Sequence, residues 1–174
     1  MKKGLKITLR AIVDFIPLII HWSIPSDRGL IIGGSVALLV VISKGIKKEL
    51  GLMTKVVAVY FILINIFYFY LGMNIFFDKR HLISYGVLAT MSFWSILCYR
   101  PFTMDASKKA YASIKDSSLF IEMNIIITKI FGVVYSINTI LAYFEIKSAP
   151  LFSLLLTGLA ISASIILPSF MPDT

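Results

Sequence analysis

The chain is poor in the residues that carry most enzyme chemistry. It has one cysteine, Cys98, and two histidines, His21 and His81, and 15% of its 174 residues are charged. A single cysteine excludes an intrachain disulfide. So few thiols and imidazoles leave a conventional zinc site without ligands. The chain has no H-E-x-x-H, no G-x-S-x-G and no phosphate-cradling glycine loop, so no recognisable catalytic set is present. Acidic residues are also few, nine against seventeen Lys and Arg, giving a net charge of +8. A basic balance marks nucleic-acid binding only where a soluble domain presents a basic face. No stretch of this chain reads as such a domain, and lysines that set membrane topology account for the charge. Neither a nucleic-acid partner nor a cofactor is expected.

Hydrocarbon is what the chain has in abundance: 58% of its residues are hydrophobic. A soluble domain holds roughly 45–50%. The composition predicts an all-α, polytopic membrane helix bundle, a single integral domain over residues 1–174. A spanning helix needs about 20 mostly apolar residues. Six segments qualify: Leu5 to Ile24, Gly29 to Ser43, Leu52 to Gly72, His81 to Tyr99, Leu119 to Phe144 and Pro150 to Phe170. The first carries Asp14, Pro17 and His21 and lacks a clean cleavage motif, so it reads as a retained helix and not a signal peptide. The first two either both span or form a tilted hairpin.

Lys and Arg in short loops stay cytoplasmic. Six spans place twelve of them on one side, from Lys2, Lys3, Lys6 and Arg10 through Lys44, Lys47, Lys48 and Lys55 to Arg100, Lys108, Lys109 and Lys115. The other side receives Arg28, Lys79, Arg80 and Lys147. Both termini are therefore expected in the cytoplasm. So is the polar stretch 100–118, which contains Arg100, Pro101, Phe102, Thr103, Lys108 and Lys109. Met104, Tyr111 and Ile114 share one helical face there. The stretch is either a solvated tether or an interfacial amphipathic helix on anionic inner-leaflet lipids. As an interaction loop it would dock a membrane-protein partner. Thr103 or Asp105 can cap a short helix in it, and Asp116, Ser117 or Ser118 can cap the fifth span.

Ionisable and polar groups at membrane depth are costly and are candidate functional residues. Lys129 lies ten residues into the fifth span, and either snorkels to the inner surface or pairs with Asp14. Asp14 can instead pair locally with Arg10, four residues before it. Each histidine, His21 included, is expected to be interfacial or hydrogen-bonded and not a ligand. Asn124, Thr128, Tyr135 and Asn138 fall on one face of the fifth span, with Lys129 pointing away from it. Such a stripe packs against other helices or lines a cavity. Asn65 in the third span is a similar candidate. Gly29, Gly33 and Gly34 suit close helix approach, and Phe67, Tyr68, Phe69 and Tyr70 suit an interfacial belt.

"DFIPLI", Asp14 to Ile19, with the short second span and the basic turn "SKGIKKEL", resembles the intracellular septation protein A family of small bacterial inner-membrane proteins. Asp14, Phe15, Pro17 and Leu18 match its Asp-Phe-x-Pro-Leu opening. Pro101 after the fourth span and Asn124 early in the fifth match its later layout, and "RPFT" resembles related small membrane proteins. The likeness covers roughly residues 11 to 145. The family's tryptophans around the fifth span are replaced here by Phe120, Ile130 and Phe131. The resemblance implies a bacterial inner-membrane protein, a distant relative acting non-enzymatically in envelope organisation or septation through partners or as a homo-oligomer. The alternative is a small, oligomeric or monomeric, transporter or channel. Its mark would be a cavity lined by the Asn124–Asn138 stripe and reached by Asp14 or Lys129. A membrane enzyme, the third reading, would gather ionisable residues around a pocket at one interface.

Overall fold

The computed structural model describes residues 2–108, 111–113, 115–146 and 149–167, without the side chains of 2–9, 11 and 149–151. Lys109 and Ile114 lie outside the described residues. Everything regular among the described residues is helical. The six apolar segments each form a long helix: α1 (Lys2–Ser23), α2 (Asp27–Ile46), α3 (Leu52–Asn65, extended by a wider π turn over Ile66–Tyr70), α5 (Arg80–Leu97), α7 (Ser118–Tyr143) and α8 (Ala149–Ile166). Two four-residue helices, α4 (Ile75–Asp78) and α6 (Met104–Ser107), lie in the connections.

Three of these helices are long and apolar enough to cross a membrane: Asp27–Ile46, Leu52–Tyr70 and Ser118–Tyr143. The apolar parts of α1 and α8, Ile12–Ser23 and Phe152–Ile166, are shorter. Much of the outer surface is hydrocarbon. Leu38, Leu39, Ile62, Trp94, Leu97, Leu154 and Leu159 are each more than half exposed. Water penalises an apolar surface of this extent and lipid does not.

The packing is sequential and local. α1 lies on α2, α2 on α3, and α5 on α7, while α8 leans on both α7 and α1. Close approach rests on missing side chains. A Cβ at Gly33 would sit 2.8 Å from the Phe61 ring and 2.9 Å from the Pro17 carbonyl. A Cβ at Gly29 would sit 2.1 Å from the Ile24 carbonyl. Close helix approach is therefore met at Gly33, whereas Gly29 makes room for the turn that precedes its own helix. Lys44, Lys47 and Lys48 cluster at the C-terminal end of α2, where the helix dipole favours cations. That end, shared with the starts of α1, α3 and α7, is the basic end of the bundle. At the opposite end Lys79 and Glu145 pair across two loops. The pairing holds the Glu145 carboxyl below its usual range and the Lys79 ammonium above its own.

The stretch 100–118 is not one amphipathic helix. Among its described residues before α7, Met104–Ser107 is the helical part, and 111–113 is a turn. Pro101 and Phe102 are buried against the bundle, and Thr103 and Phe102 fold the segment onto α7. Exposed Arg100 and Lys108 remain at its rim, Lys108 bonded to Asp105.

Candidate functional site

The site begins with Asp14, buried in α1. A lone carboxylate there would be expensive to desolvate. Lys44 of α2 answers it, with Nζ at 2.8 and 2.7 Å from the two carboxylate oxygens. The Thr54 hydroxyl of α3 donates to Oδ1 at 2.7 Å. Three successive helices are thus clamped by one charged, hydrogen-bonded cluster. This corrects both sequence expectations for Asp14. Neither Arg10 nor Lys129 is its partner, because Lys44 reaches it from a neighbouring helix. Lys129 is exposed on the outside of α7, away from the cluster, and its long stem suits it to snorkel toward the basic end.

The polar stripe on α7 is real. Asn124, Thr128, Tyr135 and Asn138 are all buried, as their spacing predicts. The first two fasten the loop. Asn124 donates to the Phe120 carbonyl at 2.8 Å and accepts from Ser107 at 3.1 Å. Thr103 donates to the Asn124 carbonyl at 3.1 Å and shares a 2.9 Å hydrogen bond with Thr128. Thr103 is therefore a clasp on α7 and not a cap for its own helix. Asp105 also works at a distance, accepting from the Leu52 backbone N–H at 2.8 Å and so capping α3. Ser117 caps α7 as expected, accepting from the Phe120 N–H.

The far half of the stripe is different. The Tyr135 hydroxyl and both polar atoms of the Asn138 amide are buried with no protein partner. Buried polar groups of this kind are normally satisfied by water. His21 is a second such group. Its ring is enclosed, both nitrogens lack partners, and it packs edge-on against Tyr60, Phe61 and Phe77. The expected hydrogen bond for His21 is not found, because α3 and α4 close over it with aromatic rings. Asn65 donates its amide to the Phe61 carbonyl of its own helix at 2.7 Å and does not line the cavity described below.

Between α1, α2, α5, α7 and α8 lies a cavity of about 740 Å³. Small-molecule sites typically hold roughly 300–1,000 Å³. Asp14, Lys44, Thr103, Asn124 and Tyr135 line it, so it joins the charged cluster to the loop clasp and ends against the Tyr135 ring. Its basic end carries Arg10, Lys47, Lys48 and Lys108, with Glu49 and Asp105 beside them. Its far end is walled by Trp22, Tyr85 and Tyr135. Along α1 the lining runs from Arg10 to Trp22, which at 1.5 Å per residue is ~18 Å. That is more than half of a hydrocarbon core ~30 Å thick. Trp22 is held in the wall by an Nε1 hydrogen bond to Ser84 at 2.9 Å and a ring contact with Tyr85.

Sequence reasoning found Asp14, Asn124 and Tyr135 but missed Lys44, Thr54 and the aromatic wall. Lys44 was legible only as one of several lysines that set topology. Among the described residues no three His, Cys, Asp or Glu side chains gather as metal ligands. No protein-family profile, curated protein or solved structure matches the chain.

Proposed function

We propose that this chain is a multi-pass membrane protein that takes a small solute into the cavity from its basic end, as a small transporter or carrier. The observation that carries the reading is the cavity itself, reached by Asp14 and lined by the Asn124–Tyr135 face of α7. Those residues separate a solute path from a packed scaffold. Thr128, Lys129 and Asn138 stand outside the lining, so only Asn124 and Tyr135 of the polar stripe border the path, which ends near Tyr135 in this conformation. An enzyme reading is weaker. Charged residues do converge on the mouth, but Asp14 is engaged by Lys44 and Thr54, and Asp105 by the Leu52 N–H and Lys108.

In this reading all six long helices span, and the basic end faces the cytoplasm of a bacterial cell. The twelve-to-four distribution of Lys and Arg supports that orientation. The resemblance to the septation family supports an inner-membrane setting, where the solute would belong to envelope chemistry.

The test is sided thiol labelling in the native membrane. With Cys98 replaced by Ser, single cysteines at Ser43 and Ser164 report the basic mouth of the cavity. Both are expected to react with an impermeant maleimide from the cytoplasmic side alone. Reaction from the outer side would reverse the orientation. Silence at both positions, with Ala112→Cys in the loop still reacting, would remove the open cavity and the solute reading with it.

A further inference from the structure

The cavity changes character along its length. At the mouth, Lys44 is neutralised by Asp14 and Lys108 by Asp105. Arg10, Lys47 and Lys48 form no ion pair with any described side chain, yet all three line the cavity. The middle and far end are apolar and largely aromatic, built from Phe15, Trp22, Phe102, Phe131 and Tyr135 with Ile161 of α8. Val13 and Ile19, also in the lining, are exposed hydrocarbon on α1. A small hydrophilic anion would leave this aromatic length unfilled. A neutral hydrocarbon would make no use of a mouth where Arg10, Lys47 and Lys48 outnumber Glu49. A molecule with a charged head and an alkyl tail satisfies both ends at once.

We propose that the cavity binds a single-chain amphiphilic anion, a long-chain carboxylate or phosphate monoester. Its head lies between Arg10, Lys47 and Lys48, and its tail lies against Trp22 and Phe131. This specifies the solute of the reading above and rests on it. Bidentate Arg contacts and charge-assisted hydrogen bonds fix the head. The tail fills the aromatic length between Trp22 and Phe131.

The chain's two tryptophans provide the test. Trp22 is in the wall, whereas Trp94 is 64% exposed on the outer surface. Two single-tryptophan proteins, Trp94→Phe and Trp22→Phe, are reconstituted in vesicles and titrated with ω-bromoundecanoate, whose bromine quenches indole on close contact. ω-Bromoundecanol is the uncharged control. The proposal expects saturable quenching of Trp22 by the acid, with half-saturation at least ~tenfold below that of the alcohol. Trp94 should report only non-saturable partition into lipid. The combined substitution Arg10→Gln, Lys47→Gln, Lys48→Gln should raise the acid's half-saturation ~tenfold or more and leave the alcohol's unchanged. Undecyl phosphate should displace the acid, and inorganic phosphate should not.

If acid and alcohol bind alike, or the triple variant binds the acid normally, the anion assignment is overturned while the solute-binding reading stands. Displacement by inorganic phosphate alone would likewise overturn the amphiphile. If neither probe saturates at Trp22, both the assignment and the solute reading fail. A cavity-filling Thr157→Phe should abolish the saturable component. If saturation survives it, the bound probe lies elsewhere, and the assignment fails.

Discussion

Removing Lys44 is the most informative single perturbation of the bundle. In Lys44→Met the Asp14 carboxylate keeps only the Thr54 hydroxyl as a side-chain partner. Breaking a buried ion pair by deleting one member costs ~3–5 kcal/mol. The Lys44 side chain retains 19% exposure and Asp14 9%, and the adjoining cavity gives water a route to the stranded charge. Both facts move the expected loss to about 2–3 kcal/mol. Replacing both charges, Asp14→Leu with Lys44→Met, should return stability to within ~1 kcal/mol of the parent, since apolar isosteres of a buried pair are often neutral. The coupling energy should therefore be at least ~2 kcal/mol. Reversible unfolding in mixed micelles of increasing denaturing-detergent content measures all four proteins. Arg10→Ala is the control. It should cost under ~0.5 kcal/mol, because Arg10 does not pair with Asp14 here. A coupling below ~0.5 kcal/mol, or an Arg10→Ala loss equal to that of Lys44→Met, would refute the three-helix clamp.

Other consequences are smaller and local. Gly33→Ala places a methyl against the rigid Pro17 carbonyl as well as the Phe61 ring, and should cost ~1–3 kcal/mol in the same unfolding assay. Gly34→Ala meets only the end of the Asn65 side chain at 3.2 Å and should cost distinctly less. Asp105→Ala removes the cap on α3 and should cost ~1 kcal/mol, while speeding proteolysis of the 100–118 stretch. The Lys79–Glu145 pair gives a pH dependence at the other end of the bundle. Glu145 has a lowered folded pKa, so its stabilisation is present above the unfolded carboxylate value and is lost as pH falls through the folded one. Protection of the amides in residues 71–79, relative to their intrinsic exchange at each pH, should therefore fall at acid pH, and Glu145→Gln should remove that pH dependence.

What the sequence made legible follows from the range of the signal. Helix positions came from apolar run length, and the α7 stripe came from spacings of three, four and seven residues along one helix. Both are local properties. The partner of Asp14 is not local. Lys44 lies thirty positions away, and nothing in its neighbourhood distinguishes it from Lys47 or Lys48. The loop shows the same limit. Thr103 and Asp105 have the chemistry of caps, and Asp105 is one, but for α3 and not for its own helix. Fold-back of Pro101 and Phe102 onto α7 decided that, and periodicity carries no trace of it. His21 shows the reverse error. A histidine suggests a hydrogen-bond partner, yet the aromatic residues of α3 and α4 enclose its ring and leave both nitrogens without one.

In the proposed reading a hydrated, solute-sized space runs deep into an apolar bundle. Spin labels at three positions test it most directly. Thr157 is in the cavity wall, Leu154 is 71% exposed on the outer face of the same helix, and Ala37 is packed between helices. The measurement is relaxation by a water-soluble nickel chelate against relaxation by oxygen, which concentrates in lipid. The account predicts nickel access at position 157, oxygen access with little nickel at 154, and neither at 37. Labels at 157 and 154 that both see oxygen and exclude nickel would contradict it. The cavity would then be a lipid-filled cleft, and its polar lining would be structural alone.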